Sequence, residues 1–166
     1  MAFDGFLKFS GIAAAESQDD KFKGSEGWID VLSFTYGVTQ KGAAGTGGGQ
    51  AAGKADLQDF TFTQKYHKGS PELFVKCCTG EHMKTAQFVC RKAGGVQLNF
   101  LTLDFKEVLV TSVNTQGGAG ADEIPVETVS ITFSEVKFLY KEQNSETGGE
   151  KSQATGGFNQ KLNKKL

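Results

Sequence analysis

The run from Val126 to Tyr140 alternates along its whole length, and no other feature of the chain narrows the choice of fold as much. Val129, Ile131, Phe133 and Leu139 share one parity, and Thr128, Ser130, Thr132, Val136 and Phe138 share the other. A period of two marks a β-strand, because successive side chains of a strand point to opposite faces. Both parities are partly apolar in the second half, so the run reads as one long strand packed on both sides. Shorter runs repeat the pattern. Phe3–Phe9 reads as an edge strand interrupted by Asp4 and Lys8, and Trp28–Val38, Asp56–Tyr66, Ala86–Arg91 and Gln97–Val113 read as further strands. Within Trp28–Val38, Ile29, Val31 and Ser33 are expected on one face and Leu32, Phe34 and Tyr36 on the other. Glycine separates the strands: 22 Gly, 14 Phe and only 2 Pro favour strands and turns over helices. Gly94-Gly95 marks a hairpin turn and Gly117–Ala121 another, while Gly11–Gly27 is a polar loop. One segment reads as a helix. Ser70-Pro71-Glu72 combines a hydroxyl cap, a proline at the first helical position and an acid facing the helix dipole. Leu73, Phe74, Cys77 and Cys78 supply its apolar stripe, and Gly80 stops it. The expected fold is an antiparallel β-barrel of about eight strands with one short flanking α-helix at about 70–79. Closure is the usual protection for exposed strand edges.

Two segments stand apart. From Gln40 to Gly53 the composition collapses to glycine, alanine and small polar residues, a long loop that cannot build a core by itself. From Lys141 onward the chain is polar, so residues 1–141 are expected to be the barrel domain and 142–166 a flexible C-terminal tail. With 18 Lys plus Arg against 19 Asp plus Glu the net charge is −1, which argues against a strongly basic nucleic-acid binder or a polybasic membrane binder. No stretch approaches the roughly 20 apolar residues of a membrane span. The N-terminus shows neither a basic leader nor a long apolar run, so the expected site of synthesis is the cytoplasm, with any export independent of a leader. Three cysteines, an odd number, suit a reducing compartment better than a disulfide framework.

Candidate chemical sites are weak. Gly48-Gly49-Gln50-Ala51-Ala52-Gly53-Lys54-Ala55 follows a phosphate-cradling loop up to its last position, where Ala55 lacks the hydroxyl that would hold magnesium. It leads into a strand pattern, so no helix N-terminus would face a phosphate. His67, Cys77, Cys78 and His82 cluster around the short helix, but Cys77 and Cys78 are adjacent and point about 100° apart on a helix. Metal ligation needs convergent pairs, and a thiol nucleophile needs a histidine base with an orienting partner. Small core cysteines are the simpler reading. Asp104, Glu107, Glu127 and Glu135 are scattered along strands and read as solvated faces. No catalytic residue, cofactor site or metal site is assigned. The aromatic residues Trp28, Tyr36 and Tyr66 and the phenylalanines suit either a core or the lining of an apolar cavity.

The order of several motifs carries a family resemblance. Asp30-Val31-Leu32-Ser33-Phe34-Thr35-Tyr36-Gly37-Val38-Thr39-Gln40 is followed by the glycine-rich loop and by Ala52-Gly53-Lys54-Ala55-Asp56-Leu57-Gln58-Asp59-Phe60-Thr61-Phe62. Lys68-Gly69-Ser70-Pro71-Glu72-Leu73, Cys77-Cys78-Thr79-Gly80-Glu81-His82, Arg91-Lys92-Ala93-Gly94-Gly95 and Phe105–Val113 come next. In this order they resemble the haemolysin-coregulated protein (Hcp) family, the tube subunits of bacterial type VI secretion systems, over about residues 1–141. The resemblance implies a non-enzymatic structural protein. Hexameric rings of such a barrel would stack into an expelled tube inside a contractile sheath, tipped by a trimeric spike, with small effector proteins in the lumen. Nucleic acid and membrane insertion have no part in it. The long loop would reach toward neighbouring subunits, which places Gln40, Lys41, Gly45, Gly47, Gly48, Gly49 and Lys54 at a subunit or ring interface. The alternatives are a monomeric barrel carrying a small apolar ligand and, less in keeping with the residues, a cysteine hydrolase or metal enzyme built on His67, Cys78 and His82.

Overall fold

The structure is a computed structural model that describes residues 3–13, 16–22, 27–42, 52–120 and 123–166. Along the chain lie β1 (Phe3–Phe9), β2 (Ile29–Val31), β3 (Ser33–Thr35), β4 (Val38–Gly42), β5 (Ala52–Leu57) and β6 (Phe60–Lys65). The helix α1 (Ser70–Thr79) follows, then β7 (Met83–Lys92), β8 (Asn99–Gln116), β9 (Val126–Thr132), β10 (Glu135–Gln143), β11 (Glu150–Asn159) and β12 (Lys164–Lys165). The fold is mainly β and all strand pairs are antiparallel. Ten strands join in one branched sheet: one branch runs β12-β11-β10-β8-β7-β1-β2, and the other runs β8-β9-β6-β3. The two branches share β8 and are linked again where β2 leads into β3, so they wrap a common core, with no closed hydrogen-bonded ring among the described residues. β4 and β5 form a separate two-stranded hairpin.

The core is built from one parity of each strand: Phe60 and Phe62 of β6, Phe88 of β7, Leu103 and Phe105 of β8, and Val129 and Ile131 of β9 are all buried. Their rings interlock, with Phe60 5.1 Å from both Phe88 and Phe105. Such offset and tilted ring pairs each add about 0.5–1.5 kcal/mol beyond area burial.

Three strand runs change parity where they pass between the branches. In the expected strand Trp28–Val38, Ile29 and Val31 are buried, but Ser33 faces out, where its hydroxyl meets Thr63 Oγ1 at 2.6 Å, and Phe34 packs inward. The turn-over falls at Leu32, whose N–H donates to the Thr63 carbonyl at 2.8 Å. β8 changes at Glu107, which has a positive φ of 52°. Before it Leu103 and Phe105 are buried; after it Val108 and Val110 are. The expected single strand Val126–Tyr140 breaks at Phe133–Ser134 into β9 and β10, which belong to different branches. β9 buries odd positions and β10 buries Val136, which explains the apolar residues on both parities without a strand packed on two sides. Two corners are tied together, because the Ser134 hydroxyl donates to Glu107 Oε2 at 2.6 Å and the Ser134 N–H to the Lys106 carbonyl at 3.0 Å.

The tail also differs from expectation. Residues 150–159 form β11, paired with β10 from Glu135↔Asn159 to Gln143↔Glu150. Composition pointed to disorder because β11 is exposed over most of its length, and a strand that buries little carries no apolar alternation. Its stability comes from the ladder and from its end, where Gln160 donates to the carbonyls of Ser134 and Phe133.

A second, smaller cluster lies on the outer face of β1 and β7. Phe6, Phe22, Trp28 and Val89 pack there, with Phe6 and Phe22 stacked at 4.2 Å. Arg91, 2% exposed, sits over both rings, 5.0 Å from Phe6 and 5.8 Å from Phe22. Its guanidinium donates to Asp19 Oδ1 at 2.9 Å, makes a second bond to Asp19 Oδ2 and approaches Asp4 at 3.5 Å. This fork ties the polar loop around residues 16–22 to the sheet.

Candidate functional site

The part of the molecule most open to a partner is the β4–β5 hairpin and the groove at its foot. The arms pair Val38↔Leu57, Thr39↔Asp56, Gln40↔Ala55 and Gly42↔Ala52. The Gln40 amide closes the hairpin with a bond to the Gly53 carbonyl, and the base is held by Gln58 N–H donating to the Gly37 carbonyl at 2.9 Å. Every residue of β4 is exposed, Val38 at 63%. Of the residues assigned to an interface, Gln40 and Lys41 lie on β4 and Lys54 on β5, all exposed, while Gly45, Gly47, Gly48 and Gly49 lie outside the described residues.

Where the hairpin leaves the sheet, a cavity of about 310 Å³ opens between its arms and the inner face of β8, β10 and β11. Tyr36, Val38 and Leu57 form one wall, and Phe105, Phe138 and Phe158 the other. Tyr36 lies 5.8 Å from Phe138, and burial pushes its phenol above the ordinary tyrosine range. Such a surface binds by shape and apolar area, with few polar groups to fix an orientation. Sequence reading missed Phe158 because it stands in the polar tail; its signal was one aromatic residue amid glycine and asparagine, too little to mark a strand.

The chemical candidates do not converge. Gly53, Lys54 and Ala55 lie within β5, a strand, where a phosphate cradle needs a helix N-terminus. His67 is buried and serves its own turn: Nδ1 accepts the Gly69 N–H at 3.0 Å, and its backbone N–H donates to Ser70 Oγ at 3.0 Å. Burial holds its imidazole below the usual histidine value, against the pull of Glu127 and Glu16. Cys78 and His82 are exposed, Cys77 is half-buried, and among the described residues no three His, Cys, Asp or Glu side chains are grouped to hold a metal. Cys90 is buried among apolar side chains, which pushes its thiol up to about 12. The helix stripe expected from Leu73, Phe74, Cys77 and Cys78 is split: Leu73 is buried, while Phe74, Val75 and Cys78 face outward. The inner face takes Lys76 instead, bonded to Glu81 at 2.9 Å.

Glu127 corrects the reading of solvated carboxylates, for it is 1% exposed. It accepts from the Gln64 amide and the Thr115 hydroxyl, each at 3.0 Å, on neighbouring strands. Glu107 does lie at the surface and Glu135 is half-buried, its side chain 12% exposed; both are held below the ordinary carboxylate range, chiefly by bonds from Lys161 and Lys106.

A mainly β fold with an outstretched hairpin, an uncovered apolar groove and, among the described residues, no grouped metal-ligating side chains has counterparts among known proteins. The family model described as "Type VI secretion system effector, Hcp" matches residues 6–140. The chain is 38% identical to Protein hcp1 of Pseudomonas aeruginosa over 164 residues, 98% of each chain. It is similar to the crystal structure of Hcp1 from Salmonella typhimurium, with a TM-score of 0.79, 34% identity and full coverage of both chains. A structure titled as a type six secretion system protein gives a TM-score of 0.89 at 27% identity, covering 99% of this chain and 100% of the other. No helix among the described residues is long and apolar enough to cross a membrane. Sequence and fold agree: the chain belongs to the Hcp family of type VI secretion proteins.

Proposed function

We propose that this chain is a tube subunit of a type VI secretion system: a hexameric ring former whose rings stack into an expelled tube, with a lumen that carries and protects small effector proteins. It is made in the cytoplasm and leaves through the apparatus, with sheath and trimeric spike proteins as its other partners. It has no catalytic role. Family membership supports the role, and the observation that carries the assembly is the exposed β4–β5 hairpin standing over an apolar groove, a pairing of donor arm and uncovered surface within one subunit. The residues Gln40, Lys41 and Lys54 on its arms, with Gly45 and Gly47 to Gly49 between them, would make the contact. Light scattering behind a sizing column, with negative-stain images of the same peak, tests it. Open rings near six times the 17.8 kDa subunit are expected, and a monomer at high concentration refutes the reading. Deleting Gly45–Gly49 is expected to leave a folded subunit, by circular dichroism, whose rings stack more weakly; an unfolded product refutes a docking role for the loop. The second reading, a carrier of a small apolar ligand, draws on the 310 Å³ cavity and predicts an extractable ligand and a monomer.

A further inference from the structure

The longer branch of the ten-stranded sheet, from β12 to β2, ends in two unlike edges. At one end β11 is paired with β10 throughout, while β12 covers only Phe158 and Asn159 on its other side. Natural sheets blunt such an edge with proline, charge or a bulge. Leu166 N–H donates to the Gly157 carbonyl at 3.1 Å, and the stretch before it, Ser152-Gln153-Ala154-Thr155-Gly156, has neither proline nor charge, while the one register shift in the pair falls outside it, at Glu142/Gln143. Beside it an open groove of about 530 Å³ is floored by Leu139, Gly156, Gly157 and Leu166 and flanked by Lys137 and Lys165. The acid on that rim, Asp104, is already occupied by the Gln87 amide at 2.7 Å. At the other end of the sheet, Phe3 and Leu32 stand out, 42% and 51% exposed. They frame a shallow hollow with Asp4 and Asp30.

We propose that these two ends meet between copies of the chain, the Phe3–Leu32 knobs of one subunit seated in the groove beside β11 of the next, with Asp30 facing Lys165. The inference rests on the ring reading above and names surfaces that would build it. Knob meets groove, acid meets base, and an unblunted edge finds cover. A contact between two different patches of one chain is heterologous and repeats from subunit to subunit, which is what a ring requires. The occupant is a second copy because both halves of the match are on the same chain, at opposite ends of one sheet.

Charge reversal tests it. Asp30→Lys, Lys165→Glu and the double variant would be compared with the wild type by light scattering over a dilution series, with circular dichroism to show that each subunit is folded. Each single variant is expected to raise the concentration at which rings dissociate by about tenfold, because like charges then face each other. The double variant restores opposite charges across the contact and is expected within about threefold of wild type. Wild-type rings with unaffected single variants overturn this contact and leave the ring reading standing. A double variant no better than the weaker single overturns the pairing of Asp30 with Lys165. A wild type that never leaves the monomer overturns both.

Discussion

Replacing Arg91 by methionine measures how the N-terminal loop is held to the sheet. Arg91 is 2% exposed and bonds to Asp19 while lying over the rings of Phe6 and Phe22. Removing one partner of a buried ion pair costs about 3–5 kcal/mol when the other is left dry. Here the stranded carboxylates regain water, since the Asp19 side chain is 19% and the Asp4 side chain 49% exposed. That lowers the electrostatic part to about 2 kcal/mol, and two lost ring–cation contacts add about 1 kcal/mol. The methionine chain refills the stem volume, so the expected loss is about 3 kcal/mol, a large share of a typical 5–15 kcal/mol. Urea unfolding followed by fluorescence is well placed to read it, because the single tryptophan, Trp28, packs against Phe22 at 4.7 Å in the same cluster. Protein concentration must be fixed, since the proposed assembly would add its own stability. A second arm uses pH. The hydrogen bond from Arg91 holds the Asp19 carboxyl below its ordinary value. An acid depressed in the folded state contributes fully above its unfolded pKa of about 3.9 and loses that contribution as pH falls toward the folded value. The gap between wild type and Asp19→Asn is therefore wide at pH 6 and narrows below about pH 4. A loss under about 1 kcal/mol for Arg91→Met, or a gap constant from about pH 7 to pH 3, refutes the reasoning.

Three further outcomes follow from the same geometry. Gly80 caps α1 at φ 67°, so Gly80→Ala is expected to cost about 1–2 kcal/mol and lower the thermal midpoint by several degrees. His67 is buried neutral, with its folded pKa below the unfolded 6.5; stability is full above that value and falls as pH drops below it, because the unfolded chain takes up the proton first. Chemical unfolding at a series of pH values is expected to show this slope in wild type and a smaller one in His67→Asn, whose amide oxygen keeps the bond to the Gly69 N–H; equal slopes refute it. Mass spectrometry after brief alkylation is expected to find Cys78 labelled and Cys90 protected by burial and its raised thiol pKa.

Period-two patterning located the strands well where each strand stays within one branch of the sheet, as in Phe60–Lys65, whose buried positions alternate without a break. It failed where a strand crosses between branches. At Leu32, at Glu107 and at Phe133–Ser134 the inward parity flips, and a sequence carries no mark of a corner beyond two parities that both look apolar. Val126–Tyr140 was one strand by pattern and is two by topology. Pro71, Glu72 and Gly80 marked the helix, but Gly69 and not the Ser70 hydroxyl is its N-cap. Of the expected stripe Leu73 and Cys77 do meet the core, while Phe74 and Cys78 face outward and Lys76, reached by Glu81 and Glu72, turns inward. Glu127 was invisible as a buried group since its partners, Gln64 and Thr115, come from two other strands, Gln64 from 63 residues away. The tail escaped because edge strands that bury little resemble disordered polar segments. At the groove, Tyr36 and Leu57 belong to motifs that pointed to the family, whereas Phe158 depended on the unforeseen β11.

The place of β8 bears on which length changes the chain tolerates. It serves both branches of the sheet, and its register against β7, β9 and β10 is fixed by residues buried on opposite parities either side of Glu107. One residue added near Leu103 would turn a row of leucine and phenylalanine toward water and break the ladders to β7 and β10 at once. One residue added between Gly42 and Ala52 would leave the registers of the ten-stranded sheet unchanged, because β4 and β5 pair only with each other. Natural drift in loop length, and deliberate insertion of a tag or peptide, therefore has room at the hairpin and none in the shared strand.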